Sequence, residues 1–289
     1  MLLLQVIADG LIFGSIYALG ALGFNLIYGT TGTFHIAYGA TLLVGLYVGT
    51  EVGISGAAGV VGIGLGLLLA MAIGVAAYAA FYRPMAARGR SRLIVFVASL
   101  GLTITLEALL LIIFGAQERR FDFPGLLQAR DVLGRDVSLL GLLSIAAALI
   151  SLVVLRALLG RTSVGRQIQG IAMNPELAET IGVRTRSMLA LVFALGSGLG
   201  FLGLFALAAN TAVSSNIGTS FTLVVAVAVI AGGVGNLVGS YVVAMGFGIV
   251  QSAASVYLSG QWTLVLVYGT FIVLIMARPT GLFRGLARA

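Results

Sequence analysis

The chain is 289 residues long, 60% hydrophobic and only 9% charged, where ordinary globular domains carry roughly 25% charged residues. No Asp, Glu, Lys or Arg lies between Arg186 and Arg278, and His35 is the sole titratable candidate for charge from Gly10 to Thr50 and from Val52 to Tyr82. About 20 apolar residues cross a bilayer, so these gaps exclude a soluble domain and predict one polytopic, all-α membrane domain over 1–289.

The opening "MLLLQVIADGLIFG" lacks the basic start and small-residue cleavage site of a secretory signal and reads as a first span that is retained. Hydrophobic runs then predict spans at 3–28, 33–50, 56–82, 93–114, 137–158, 188–209, 219–233, 237–258 and 262–277. The count is about 8 to 9, because 219–233 is short and 33–50 opens on the polar "TTGTFHIAYG". Both read as broken or half-helices, whose freed backbone groups would face a cavity instead of lipid. One in each half of the chain hints at inverted repeats.

Arginine-rich short loops favour the cytoplasm. The stretch "RPMAARGRSR" (83–92), the net basic segment 156–186 and the tail with Arg278, Arg284 and Arg288 therefore go inside. The loop 117–138 balances its acids and arginines and goes outside. Glycines four apart, among them Gly10 with Gly14, Gly45 with Gly49, Gly196 with Gly200 and Gly235 with Gly239, are predicted to let helix backbones approach closely.

The segment "LLGRTSVGRQIQGIAMNPELAETIGVRTRS" (158–187) is more ordered than a connector needs. Asn174 is a good N-cap, Pro175 suits the first helical position, Glu176 and Glu179 favour the positive helix end, and Gly182 is a natural stop. Ahead of it Ser163 can cap a stretch in which Val164, Ile168 and Ile171 recur at helical spacing while Arg166 points elsewhere. A pair of short amphipathic helices on the cytoplasmic face suggests docking onto a partner, or else a helix lying on lipid.

Several chemistries are excluded. All 16 basic residues are arginine, so the lysine of a Walker A loop is missing. "IAGGVGNLVGS" (230–240) has the wrong glycine spacing for a dinucleotide loop and reads as a tight turn, with Asn236 as N-cap of the next helix. The absence of cysteine and the single histidine exclude a Cys-containing or imidazole-built metal site, and one histidine and one acid assemble no catalytic triad inside the membrane. Glu107, the one acid well inside a span, is open to a proton-site or a structural reading, and His35 to a lining or a structural one. A gradient-driven carrier or channel using Glu107 and His35 is therefore the alternative to a permease powered by other subunits.

Four blocks in order, "GSIYALGALGFNLIYGTTGTFHIAYGATLLVGLYVG" (14–49), "RLIVFVASLGLTITLEALLLIIFG" (92–115), "GRTSVGRQIQGIAMNPELAETIGV" (160–183) and "AVIAGGVGNLVGSYVVAMGFGIVQS" (228–252), with the closing "PTGLFRG" (279–285), resemble the LivH-type permeases of bacterial branched-chain amino acid importers. The resemblance implies a multi-pass inner-membrane subunit of an ATP-binding-cassette importer, with a fold similar to type II importer permeases. It implies as partners a LivM-type second permease, two ATPase subunits of the LivG and LivF type that hold ATP and Mg, and an external solute-binding protein; no cofactor, no metal and no nucleic acid is expected on this chain. It makes 159–187 the coupling loop, with that role on Gly165, Arg166, Asn174, Pro175, Glu176, Ala178, Glu179 and Gly182. Candidate pathway residues are Asn25, His35, Tyr38, Gly39, Glu107 and Asn236. Where family members commonly read N-F-A-H-G-E, this chain has "HIAYGA" (35–40), with Tyr38 for His and Ala40 for Glu, so the solute class widens to related small polar or aromatic molecules.

Overall fold

The computed structural model describes residues 2–52, 57–118, 129–131, 136–211, 213–258 and 281–283, together with 265, 268–270, 272, 273 and 276. In chain order the helices are α1 (Leu2–Thr31), α2 (Tyr38–Val52), α3 (Ala57–Ala77), α4 (Arg83–Ala87), α5 (Arg92–Phe114), α6 (Leu139–Arg161), α7 (Ser163–Met173), α8 (Pro175–Thr180), α9 (Thr185–Asn210), α10 (Ile217–Gly232) and α11 (Leu237–Tyr257). A π-helical turn, Tyr78–Tyr82, joins α3 to α4. Two short antiparallel strands, β1 (Ala129–Asp131) and β2 (Asp136–Ser138), lead into α6.

Among the described residues six helical stretches are long and apolar enough to cross a membrane, and the shorter α2 and α10 accompany them. The predicted span 56–82 runs on through the π turn to Ala87, so half of the basic "RPMAARGRSR" is helix and not loop. Most of the predicted span 262–277 and of the loop 117–138 lies outside the described residues.

α1 is apolar on every side, which in a helical bundle means a central position. Ile16, Leu19, Leu22, Phe24 and Ile27 are fully buried, and α1 packs on α6, α9, α10 and α11. Outer helices instead turn apolar side chains outward, such as Val60 on α3, Ile104 and Ile112 on α5, and Ile150 and Val153 on α6. That inversion suits lipid or a neighbouring subunit as solvent.

Glycine sets the closest approaches. Gly10 and Gly14 of α1 meet Gly248 and its neighbours on α11, and Gly45 and Gly49 of α2 meet Gly66 and Gly62 of α3, with no room for a β-carbon. α1 runs antiparallel to α9, with Gly23 beside Gly196 and Ile16 beside Gly203.

The two halves of the chain repeat. α1 and α9 end at Thr31 and Asn210, and α2 and α10 begin at Tyr38 and Ile217, a constant displacement of 179 residues (210 − 31 and 217 − 38). The third members, α3 and α11, end at Ala77 and Tyr257, one residue from the same displacement. Because α1 and α9 are antiparallel, the triplets α1–α2–α3 and α9–α10–α11 form the inverted repeat that the two broken segments suggested.

Candidate functional site

The short helix α2 follows a re-entrant segment. After Thr31 the chain turns at Gly32, whose φ of 65° favours glycine, and runs back along α1. Phe34 packs edge-on to both Phe24 and Tyr28, with ring centroids 5.4 Å apart in each case. α2 starts at Tyr38, whose hydroxyl donates to the Gly196 carbonyl at 2.8 Å. That places it level with Gly23, about 12 Å along α1 from Thr31 at 1.5 Å per residue. Gly23 and Gly200 leave the space that the Tyr38 hydroxyl occupies, which is how the bundle accepts an aromatic ring at this position.

The N-termini of α2 and α10 meet at Gly39 and Gly218. A β-carbon on Gly39 would run into the Gly218 carbonyl. The Gly39 amide donates to Thr222 Oγ1 at 2.7 Å, and the Ala37 amide to Ser99 Oγ at 3.1 Å. Helix starts leave orphan amides, and here hydroxyls from α10 and α5 take two of them. Tyr82 Oη lies between Ser99 Oγ at 2.7 Å and His35 Nδ1 at 2.5 Å. His35 is fully buried against Tyr82 and Phe193, and its Nε2 has no hydrogen-bond partner among the described residues.

The remaining pathway candidates do different things. Glu107 on α5 is half-buried and accepts from Thr219 Oγ1, in the first turn of α10, at 2.5 Å. A carboxylate suits the positive end of a helix. Asn25 is a clamp: its Nδ2 donates to the Asn236 carbonyl at 2.9 Å and to Ser240 Oγ at 2.6 Å, and its Oδ1 accepts from the Gly235 amide at 2.7 Å. Asn236 caps α11 by accepting from the Gly239 amide at 2.9 Å. Within this turn Gly233 and Gly235 have φ of 102° and 83°. Leu282, from the C-terminal motif, donates its amide to the Ala231 carbonyl at 2.8 Å and so caps the end of α10.

On the basic face, α7 and α8 form the expected amphipathic pair. α7 buries Gly165, Ile168, Ile171 and Ala172 and exposes Arg166. Gly165 sits against the Leu158 and Leu159 backbone, where a β-carbon has no room. The cap of α7 is Thr162, which accepts from the Gly165 amide at 3.0 Å, and not Ser163. The two hydroxyls are adjacent, and only the helix register decides which one is outside the first turn. Asn174 caps α8 by accepting from the Leu177 amide at 3.0 Å, Pro175 opens it, and Gly182 ends it with φ of 87°. Ala178 is buried, while Glu176 and Glu179 are exposed.

Composition did not single out one feature of this pair. Met173, at the end of α7, Leu177 on α8 and Ile181 just past α8 are 73%, 60% and 75% exposed, three large apolar side chains within nine residues. Behind the pair lies a cavity of about 490 Å³, lined on one side by Ile171, Pro175 and Glu179 and on the other by Tyr78, Tyr82 and Phe193. Arg83 and Arg186 also line it.

Sequence reasoning missed Tyr82, Ser99, Thr222 and the cavity. Tyr82 points inward because the π turn inserts an extra residue into the α3–α4 helix; such turns recur at functional sites but have no local sequence signature. Isolated Ser99 and Thr222 in apolar runs were the available signal, since polar groups in lipid need partners.

With this geometry in hand, comparisons with known proteins agree over nearly the whole chain. A family profile described as the branched-chain amino acid transport system permease component matches residues 6–276. The chain is 25% identical over 295 residues to the high-affinity branched-chain amino acid transport permease BraD of Pseudomonas aeruginosa, covering 96% of this chain and 95% of that one. It is 27% identical over 303 residues to LivH of Escherichia coli K12, covering 96% and 94%. It is also 27% identical over 289 residues to a probable LivH of Methanocaldococcus jannaschii, covering 96% and 89%. No solved structure matches.

Proposed function

This chain belongs to the family of permease components of branched-chain amino acid transport systems, and from that premise we propose how it works as the transmembrane permease subunit of an ABC importer. It forms half of a translocation pathway for amino acids or related small polar or aromatic solutes, the other half coming from a LivM-type permease. Two LivG- and LivF-type subunits bind ATP and Mg and hydrolyse the nucleotide, and an external binding protein delivers the solute. The membrane is the bacterial inner membrane.

The observation that carries this reading is the α7–α8 pair. A connector needs no capped helices, and this pair, seated on the bundle by Ile168, Ile171 and Ala178, still leaves Met173, Leu177 and Ile181 exposed for a partner. Arg166, Glu176 and Glu179 are exposed as well and are the polar contacts of this reading. Gly165, Asn174, Ala178 and Gly182 act one step back, by shaping the pair and seating it on the bundle. Motion imposed on α8 passes through Ile171, Pro175 and Glu179 to the cavity, whose far wall holds Tyr82. Tyr82 in turn touches His35 just ahead of α2. The half-helix is thus the element that ATPase closure would shift.

Reconstitution tests the assignment. In proteoliposomes the complete importer should accumulate solute with ATP, and this chain alone should accumulate none under a proton or sodium gradient. Gradient-driven uptake by the isolated chain would contradict the proposal and favour the carrier reading built on Glu107 and His35.

A further inference from the structure

The cavity behind α7–α8 has charged residues of both signs at its rim, all three of them exposed. Arg83 and Arg186 bring two guanidinium groups to it and Glu179 one carboxylate, and among the described residues none of the three is joined in an ion pair. Thr33 and Thr185 add hydroxyls, while Leu189 and Phe193 supply apolar wall. Its volume of about 490 Å³ falls within the roughly 300–1,000 Å³ of small-molecule sites, which pair mostly apolar walls with a few placed polar groups.

Unpaired charges of both signs around one concavity are complementary to a ligand that carries both signs itself. A guanidinium fork matches a carboxylate in two parallel hydrogen bonds, and the Glu179 carboxylate matches an ammonium. The aromatic wall would cover an apolar side chain. An α-amino acid has these three parts on one small frame.

We infer that this cavity is a cytoplasmic binding site for a free amino acid, and that its occupancy restrains the coupling pair. The inference rests on the permease reading above. Glu179, Pro175 and Ile171 belong to α7 and α8, whereas Arg186 starts α9 and Arg83 starts α4. A ligand bridging Glu179 to the arginines ties the coupling pair to the bundle and opposes the motion that drives transport. Imported solute then slows its own entry, because a ligand that prefers one arrangement shifts the population toward it.

The test uses the complete importer in nanodiscs, without the external binding protein. L-leucine is titrated by calorimetry beside 4-methylpentanoate, which lacks the ammonium, and leucine methyl ester, which lacks the carboxylate. Leucine should bind, and each analogue should bind about tenfold more weakly or worse. Arg186→Gln and, separately, Arg83→Gln should weaken leucine about tenfold. In proteoliposomes with the ATPases facing the bath, bath leucine should reduce ATP-driven transport in the wild type, and Arg186→Gln should relieve that inhibition. Transport with no bath leucine checks the permease reading separately, so the two can fail independently. No leucine binding to the wild type, or inhibition that both variants leave intact, overturns the inference. Discs with and without phosphatidylethanolamine identify a lipid headgroup as occupant; leucine binding absent from both kinds of disc also overturns it.

Discussion

α2 and α10 occupy matching places in the inverted repeat and meet start to start at Gly39 and Gly218, yet their surroundings differ in kind. The start of α2 is closed by neutral groups: Ser99 and Thr222 take its amides, and His35, Tyr38 and Tyr82 fill the approach from the basic face. The start of α10 carries the half-buried Glu107 carboxylate on Thr219, and its far end is pinned by Asn25 and by Leu282. A repeat therefore supplies geometry, and separate side chains give its two copies separate jobs. α10 is tethered at the basic face, while the segment leading into α2 meets the cavity wall through the Tyr82–His35 contact.

The largest effect should come from the point the two helices share. Gly39→Val or Gly218→Val forces a side chain into facing backbone, a clash worth about 3 kcal/mol or more where neither helix can move. Loss of folded complex on size exclusion is expected for both, and equal severity would support the pseudo-symmetric meeting point. Full recovery of either variant would break that comparison.

Asn25→Ala tests the tether of α10. It removes three hydrogen bonds to the α10–α11 turn and should cost about 1–3 kcal/mol, because buried amide and carbonyl groups are left unpaired. A lowered thermal midpoint of the purified complex is the readout; an unchanged one would mean that the turn holds itself. Tyr82→Phe, the mildest change, deletes the hydroxyl that links His35 with Ser99. About 0.5–1.5 kcal/mol of stability should go. Transport should fall further than that stability loss explains if the contact passes motion to α2, and should stay at the wild-type level if it only fills space.

The two broken segments, the glycine turn and the caps of α8 were legible from residues alone, since each depends on neighbours in sequence: a polar opening, a run too short to cross, Asn174 followed by Pro175. Asn25 is among the pathway candidates, but its partners lie some 210 residues away, beyond any local pattern. Tyr82 required the π turn, and the cavity required α4, α7, α8 and α9 to converge. Partnerships of that kind are made by tertiary packing and leave little trace in spacing. The α7–α8 pair itself was legible from its caps and spacing, while the exposure of Met173, Leu177 and Ile181 was not.

The exposed apolar side chains of the α7–α8 pair offer the most direct test of docking. Leu177 stands on the surface of α8 and supports no core packing, so Leu177→Asp should leave the chain folded and in the membrane. Uptake and ATP hydrolysis measured side by side in proteoliposomes of the complete importer test its role directly. Uptake per ATP should collapse by about tenfold or more, as expected when a buried contact at an interface centre is replaced by a charge. Uptake per ATP equal to wild type would contradict that role.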